Sequence, residues 1–179
     1  MRILLVYAGK HETTKSCVER LKNALHGGNT VETVDLSQKD ADPAEFDLVV
    51  FGSSVYFGKM RQEAKRFLER NTETLMKKPL GLFLVCGLTS EYEYYREKLF
   101  SQRLRDHAFL TMYFGGSLST EGLSFMEKRL VKAMRAAIFE ENIEDGEYTP
   151  TLPSILPENI DRMATYIRRE IEQLNRTKD

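Results

Sequence analysis

The sequence predicts an α/β domain: a five-stranded parallel sheet of order 2-1-3-4-5 with helices on both faces, a three-layer sandwich. Three observations predict it. Apolar strand-length runs alternate five times with helix-length segments, the pattern of repeated βαβ units. Several runs are continuously apolar rather than alternating, as expected for strands covered on both sides. Each of the central runs ends in a polar or glycine-rich loop, and in sheets of this kind ligands sit beyond the carboxyl ends of the strands. Right-handed crossovers leave few other topologies, and five strands favour this order over a six-stranded one.

Taken in order, Ile3-Leu-Leu-Val-Tyr7 is the first strand. The helix after it opens near Thr13, carries Cys17, Val18, Leu21, Ala24 and Leu25 on one face, and stops at Gly27-Gly28, where glycine supplies a left-handed end. Thr30 to Leu36 is more polar and reads as a strand near an edge. Phe46 to Phe51 is the third strand and runs into Gly52-Ser-Ser-Val-Tyr-Phe-Gly58. A second helix is expected over Met60–Leu75, with Ala64, Phe67, Leu68 and Leu75 inward and Pro79 as the break. Leu80–Cys86 is the fourth strand and leads to Gly87-Leu-Thr-Ser90. One charged, tyrosine-rich helix is expected from Glu91 to Leu104, and a fifth strand from His107 to Phe114, ending at Gly115-Gly116. A helix over Leu123–Phe139 and a proline-spaced loop over Ile143–Pro157 follow. The last helix shows Ile160, Met163, Ala164, Ile167, Ile171 and Leu174 at helical spacing, before a polar, fraying tail from Asn175.

Composition narrows the function classes. A chain of 179 residues suits one domain, 1–179, with a full core. A net charge of -1 argues against an electrostatic nucleic-acid binder, which shows a basic excess. No apolar run approaches the ~20 residues of a membrane span, and the N-terminal run is too brief for a signal peptide. Cys17 and Cys86 form no CxxC pair and are expected as reduced thiols in cytoplasm. His11, His26 and His107 have no ligand spacing, so no metal is expected. The helix over Leu123–Phe139 carries Met126, Leu130, Met134 and Ile138 on one stripe, with Lys128, Arg129, Lys132 and Arg135 mostly elsewhere. It reads as a docked helix with a solvated basic face; membrane contact is at most peripheral, because the acidic segment Glu140–Asp145 opposes anionic lipid.

The chemistry concentrates in three loops. In Ala8–Thr14 a strand passes directly into a helix, whose N-terminal N–H groups lack partners and carry partial positive charge. That is an anion site, with Gly9, Lys10, His11, Glu12, Thr13 and Thr14 around a phosphate; the alternative is that Thr13 merely caps the helix. The glycine fingerprints of dinucleotide and ATP sites are both absent. In the second loop, Ser53 and Ser54 can hydrogen-bond a ligand, Tyr56 and Phe57 offer a flat surface, and Gly58 permits close backbone approach, with Val55 between them. The third loop, Cys86, Gly87, Leu88, Thr89 and Ser90, forms the opposite wall. Cys86 reads as a small buried residue, not a nucleophile, and no side chain is assigned a catalytic role. Tyr92, Tyr94 and Tyr95 could cover a bound ring, meet a partner, or simply be half buried.

The stretch Phe46–Lys59, the turn Phe114-Gly-Gly-Ser-Leu118 and the helix Phe125–Met134 resemble flavodoxin-domain proteins, most closely the menaquinone-dependent protoporphyrinogen dehydrogenase group, over most of the chain. The resemblance implies a flavodoxin-like fold holding FMN: phosphate on Gly9–Thr14, ring between Ser53–Gly58 and Cys86–Ser90. It implies an FMN-dependent oxidoreductase that takes electrons or hydride from a small-molecule donor and passes them to a quinone or another acceptor. Apart from the resemblance, a homodimer is a possible assembly. A flavodoxin-type electron carrier is the second reading, although the near-neutral charge differs from the acidic surface of such carriers. The chain departs from the family's Ser/Thr-x-x-Gly-x-Thr loop: Gly9 stands in the first position and Glu12 where glycine is usual, while Thr14 keeps the last. A carboxylate near a dianion is repulsive unless it turns to solvent, so a third reading is a binding protein that has lost tight FMN. The segment before the fifth strand, Glu91 to Arg105, is also shorter than in those dehydrogenases.

Overall fold

The computed structural model describes residues 1–10, 12–25, 27–87, 89–116, 125–126, 128–129, 131–133, 136 and 154–176. Strands β1 (Arg2–Ala8), β2 (Thr30–Asp35), β3 (Leu48–Tyr56), β5 (Leu80–Val85) and β6 (Leu110–Tyr113) form one sheet in the order β2-β1-β3-β5-β6. All four pairings between them are parallel. Counted among the parallel strands alone, the order is 2-1-3-4-5, as the sequence predicts. The additional strand, β4 (Lys59–Met60), pairs antiparallel with the end of β3.

Every residue from Ile3 to Ala8 is buried, and strand geometry sends successive side chains to opposite faces. Ile3, Leu5 and Tyr7 meet α1 (Glu12–Ala24) through Cys17, Val18 and Leu21, and α5 (Pro157–Arg176) through Ile160, Met163, Ala164, Ile167 and Ile171. Leu4, Val6 and Ala8 belong to the other core, with Ala64, Phe67, Leu68 and Leu75 of α2 (Gln62–Leu75) and with Tyr92, Phe100 and Leu104. Arg20 locks α1 to α5 through two bonds to Asp161, at 3.1 and 2.8 Å. The edge position of β2 shows in its half-exposed residues.

Several expected elements differ. The loop expected over Gly52–Gly58 is mostly strand: β3 continues to Tyr56 and turns back at Phe57-Gly58 into β4, so α2 begins at Gln62, not Met60. The helix expected over Glu91–Leu104 is two helices, α3 (Tyr92–Leu99) and α4 (Gln102–His107). Between them Phe100 is extended, buried, and set edge-on against Phe51. Ser101 then caps α4 by accepting from Leu104 N–H at 3.4 Å. Burying Phe100 breaks the helix, and a serine placed to restart it makes the break stable. The fifth strand starts at Leu110, because His107 ends α4 with Nε2 2.8 Å from the Lys78 carbonyl. Helix α5 continues through Asn175 and Arg176, where fraying is expected.

The helix expected over Leu123–Phe139 and the loop over Ile143–Pro157 lie largely outside the described residues. Of that helix, Val131 is buried, while Met126, expected on its apolar stripe, is exposed.

Gly52 shows how tightly the sheet is filled. A Cβ there would lie 1.9 Å from Cζ of Phe83, whose ring is fully buried and stacked on Phe114 at 4.5 Å. Gly52→Ala is expected to cost about 1–3 kcal/mol by overpacking; denaturant unfolding with an unchanged m-value checks it.

Candidate functional site

The register of the sheet assembles the site. Ala8 pairs with Ser53, and Ser54 with Val85, so the chain leaves β1, β3 and β5 at adjacent points on one edge. Cys86 N–H donates to the Gly115 carbonyl at 2.8 Å, which brings the turn after β6 to the same edge. Gly116 is needed there: a Cβ would lie 2.6 Å from the Cys86 carbonyl carbon and 2.7 Å from Gly87 N. The sequence marks Gly115–Thr120 as a glycine-rich loop at the carboxyl end of a strand but assigns it no site residue; the close approach of Gly116 to Cys86 and Gly87 appears only in the fold.

After β1 the chain turns at Gly9 and Lys10, and α1 opens at Glu12, one residue earlier than expected. Thr14 is buried, Thr13 half-buried and Glu12 exposed. A Cβ on Gly9 would lie 2.7 Å from the Thr14 Cβ and 2.8 Å from its Oγ1. The Thr14 side chain thus fills the space that a larger residue 9 would need, and the missing hydroxyl at position 9 accompanies this close packing. The Glu12 carboxylate is 84% exposed and pairs with Lys15 Nζ at 3.2 Å. It stands in solvent with a cation beside it, which screens its charge, although that charge still contributes, after burial and the Asp35 and Glu19 charges, to raising the Tyr7 phenol near the end of β1. His11 lies outside the described residues.

The second wall is the β3–β4 hairpin. Tyr56 pairs with Lys59 across a two-residue turn in which Phe57 (φ 49°) and Gly58 (φ 69°) are both left-handed, the signature of a type I′ turn. Asn-Gly is the usual occupant; a phenylalanine in this region is strained by about 1–3 kcal/mol. The strain holds a 41% exposed ring 4.3 Å from that of Tyr56. Lys10 Nζ donates to Tyr56 Oη at 2.8 Å and lies 4.0 Å from the ring centroid. This contact joins the first loop to the second, which sequence spacing could not reveal.

The serines separate. Ser53 is fully buried; its Oγ donates to the Ser54 carbonyl at 3.1 Å and accepts from Arg61 N–H at 3.4 Å. It braces the hairpin and faces the α2 side. Ser54 Oγ is buried with no hydrogen-bond partner, a costly state for a hydroxyl. Val55 and Gly58 are half-buried.

In the third loop Cys86 is buried and Gly87 partly so. Leu88 is outside the described residues, and Thr89–Glu91 form a 3-10 turn leading into α3, with Ser90 exposed. Burial raises the Cys86 and Cys17 thiols to about 11, so neither is a thiolate near neutrality. Tyr92, packed 4.6 Å from the Tyr113 ring, has an unpartnered buried hydroxyl. Burial and the Glu93 charge push its phenol well above the ordinary range.

A family model described as a flavodoxin domain matches residues 4–142. The chain belongs to the flavodoxin domain family. A search of curated proteins finds no match. Among solved structures this flavodoxin domain is similar to a flavodoxin of Fusobacterium nucleatum bound to flavin mononucleotide. The two are 16% identical, with a TM-score of 0.55, covering 94% of this chain and 98% of that one. It is also similar to Smu.1420 of Streptococcus mutans UA159, at 17% identity and a TM-score of 0.50, covering 76% and 98%. At these identities the likeness is one of fold.

Two outcomes test this geometry. Phe57→Asn is expected to raise unfolding stability by about 1 kcal/mol, since asparagine suits the left-handed position, although it removes an exposed aromatic ring. Both thiols of the folded domain are expected to resist an aromatic disulfide reagent at pH 8 and to react fully on denaturation, which absorbance of the released thiolate measures.

Proposed function

We propose that this flavodoxin domain binds FMN and works as an oxidoreductase, passing electrons or hydride from a reduced donor to a quinone-type acceptor. The observation that carries the reading is the Lys10–Tyr56 contact. It makes the helix N-terminus at Glu12 and the aromatic hairpin turn two walls of one site. A ligand with a phosphate at one end and a flat ring at the other matches that pair of walls.

The residues present fit FMN. The backbone at the start of α1, with Thr13, offers donors to a phosphate, and Lys10 adds a cation beside them. Glu12 offers little repulsion, because its charge faces solvent and is countered by Lys15. The orphaned Ser54 hydroxyl lies in the last residues of β3, opposite the end of β5, where a ring with polar edges could satisfy it. Phe57 and Tyr56 give a stacking surface. The flavin, when bound, supplies the one- and two-electron chemistry. The chain's own work is to bind, to orient the ring against the hairpin, and to keep water from its polar edge. No thiolate takes part, since burial keeps Cys86 protonated.

The outward-facing Glu12 counts against the reading that the fold has lost its flavin. An electron carrier without its own substrate is separated by turnover: the oxidoreductase reduces a quinone catalytically with a suitable donor. The resemblance to protoporphyrinogen dehydrogenases makes protoporphyrinogen the first donor to assay, with location in the cytoplasm part of the same proposal. No helix among the described residues is long and apolar enough to cross a membrane.

The purified domain is expected to retain FMN absorbance after excess FMN is removed; complete loss, with no rise in melting temperature at millimolar FMN, overturns the reading. Glu12→Gln is expected to change the FMN dissociation constant less than about threefold, a shift under 0.7 kcal/mol. Isothermal titration measures it.

A further inference from the structure

The Lys10 ammonium stands on the aromatic wall of the site. Its Nζ lies over the Tyr56 ring, 4.0 Å from the centroid, while donating to Oη at 2.8 Å. Phe57 meets the same ring at 4.3 Å, tilted by 57°. Both partners of the lysine contact are held by backbone. Tyr56 ends β3 and pairs with Lys59 across the hairpin turn. Lys10 follows a tight bend: a Cβ on Gly9 would lie 2.7 Å from the Thr14 Cβ. The backbone of Lys10 therefore belongs to the loop that opens α1, and its side chain reaches across to the hairpin.

Side chains two apart on a strand share a face. Ser54, two residues before Tyr56, has a buried Oγ with no hydrogen-bond partner. Val55, between them, packs into the core on the α2 side. A flat ring that stacks on Tyr56 and satisfies Ser54 competes with Lys10 for that face of the strand. Displacing the lysine costs a charge-assisted hydrogen bond and a cation–π contact. A ligand can shift such an arrangement only by what it offers the alternative one. A phosphate at the start of α1 offers the ammonium a dianion beside backbone donors. A ring without a phosphate offers it only water. The acid of the same loop, Glu12, is already paired with Lys15 at 3.2 Å.

We propose that Lys10 makes this site selective for phosphorylated flavins: it guards the Tyr56 ring against flat molecules that lack a phosphate, and a phosphate draws it away. The inference rests on the reading of this site as the FMN site. One side chain then works in both directions, attracting the right ligand and obstructing the wrong one. Lys10 is a specificity residue here and takes no part in electron transfer. Removing its ammonium frees the ring for any flavin and deprives the phosphate of its cation. Removing only the Tyr56 hydroxyl loosens the lysine and leaves both the ring and the cation in place.

The test is a fluorescence titration of the purified protein, checked by calorimetry, with FMN and with riboflavin. The two share a ring system and differ in the phosphate. Lys10→Ala is expected to weaken FMN by about tenfold or more, the loss of a charge-assisted contact. The same change is expected to tighten riboflavin by about threefold or more, since the ring face is uncovered. Tyr56→Phe is expected to tighten both flavins by about twofold or more. A purely structural role for Lys10 would weaken both flavins together, so the opposite signs identify the mechanism. Riboflavin no tighter in Lys10→Ala, FMN no weaker in Lys10→Ala, or no gain for either flavin in Tyr56→Phe overturns the inference. The unaltered protein separates this failure from that of the proposed function. FMN bound by the unaltered protein, with the same FMN-to-riboflavin ratio in Lys10→Ala, sinks the role of Lys10 alone. Binding of neither flavin by the unaltered protein or the variants sinks the proposed function as well.

Discussion

The rest of the structure depends on burying β1 on both faces. Six successive residues, Ile3 to Ala8, are removed from water, and the pleat divides them between two cores. A strand in that position needs covering layers above and below, which helices of βαβ crossovers provide. Parallel strands all point the same way, so the crossovers start from one edge. Every loop that could carry chemistry is thereby collected there: Gly9–Thr14, the Phe57-Gly58 turn, Cys86–Ser90 and Gly115-Gly116. The hydrophobic effect that builds the sandwich also gathers the site.

At that edge small residues let backbones approach. Gly9 lies against Thr14, Gly116 against the Cys86–Gly87 peptide, and Gly52 beneath the Phe83 ring. Larger side chains at these positions would separate the loops. Around them polar groups are handled unevenly. Ser53 is tied into the hairpin by two hydrogen bonds, whereas the hydroxyls of Ser54 and Tyr92 are buried without partners. Folding alone gains nothing from such orphans, and Phe57 is likewise held in a backbone region unfavourable to it. On the proposed reading, the Ser54 hydroxyl and the strained Phe57 are where a bound flavin would offset a cost that folding alone leaves uncompensated.

The departures from the family's phosphate-loop pattern illustrate the limits of reading a motif position by position. Glu12 suggests repulsion when it is compared with glycine. In three dimensions its side chain leaves along the helix surface to Lys15, one turn on, and the field it adds at the loop is that of a solvated ion pair. Gly9 suggests a lost donor; in the folded chain the room for that donor is already occupied by Thr14. Both residues change meaning once their neighbours are known.

Strand and helix alternation, the sheet order, the two-faced burial of β1 and the inward stripe of α5 were determined by the sequence itself. They follow from apolar periodicity, a local property that survives without knowledge of partners. The three loops were legible for the same reason, as polar punctuation after apolar strands. The tertiary structure decided what local pattern cannot. It broke the helix expected over Glu91–Leu104 so that Phe100 could reach Phe51, and it extended β3 into a hairpin whose turn is left-handed. It also set Lys10 on Tyr56, 46 residues away, and Tyr95 beside Gly58. Each depends on a contact between residues far apart in sequence, whose energy exists only when the chain is folded; the periodicity of one segment carries no record of it.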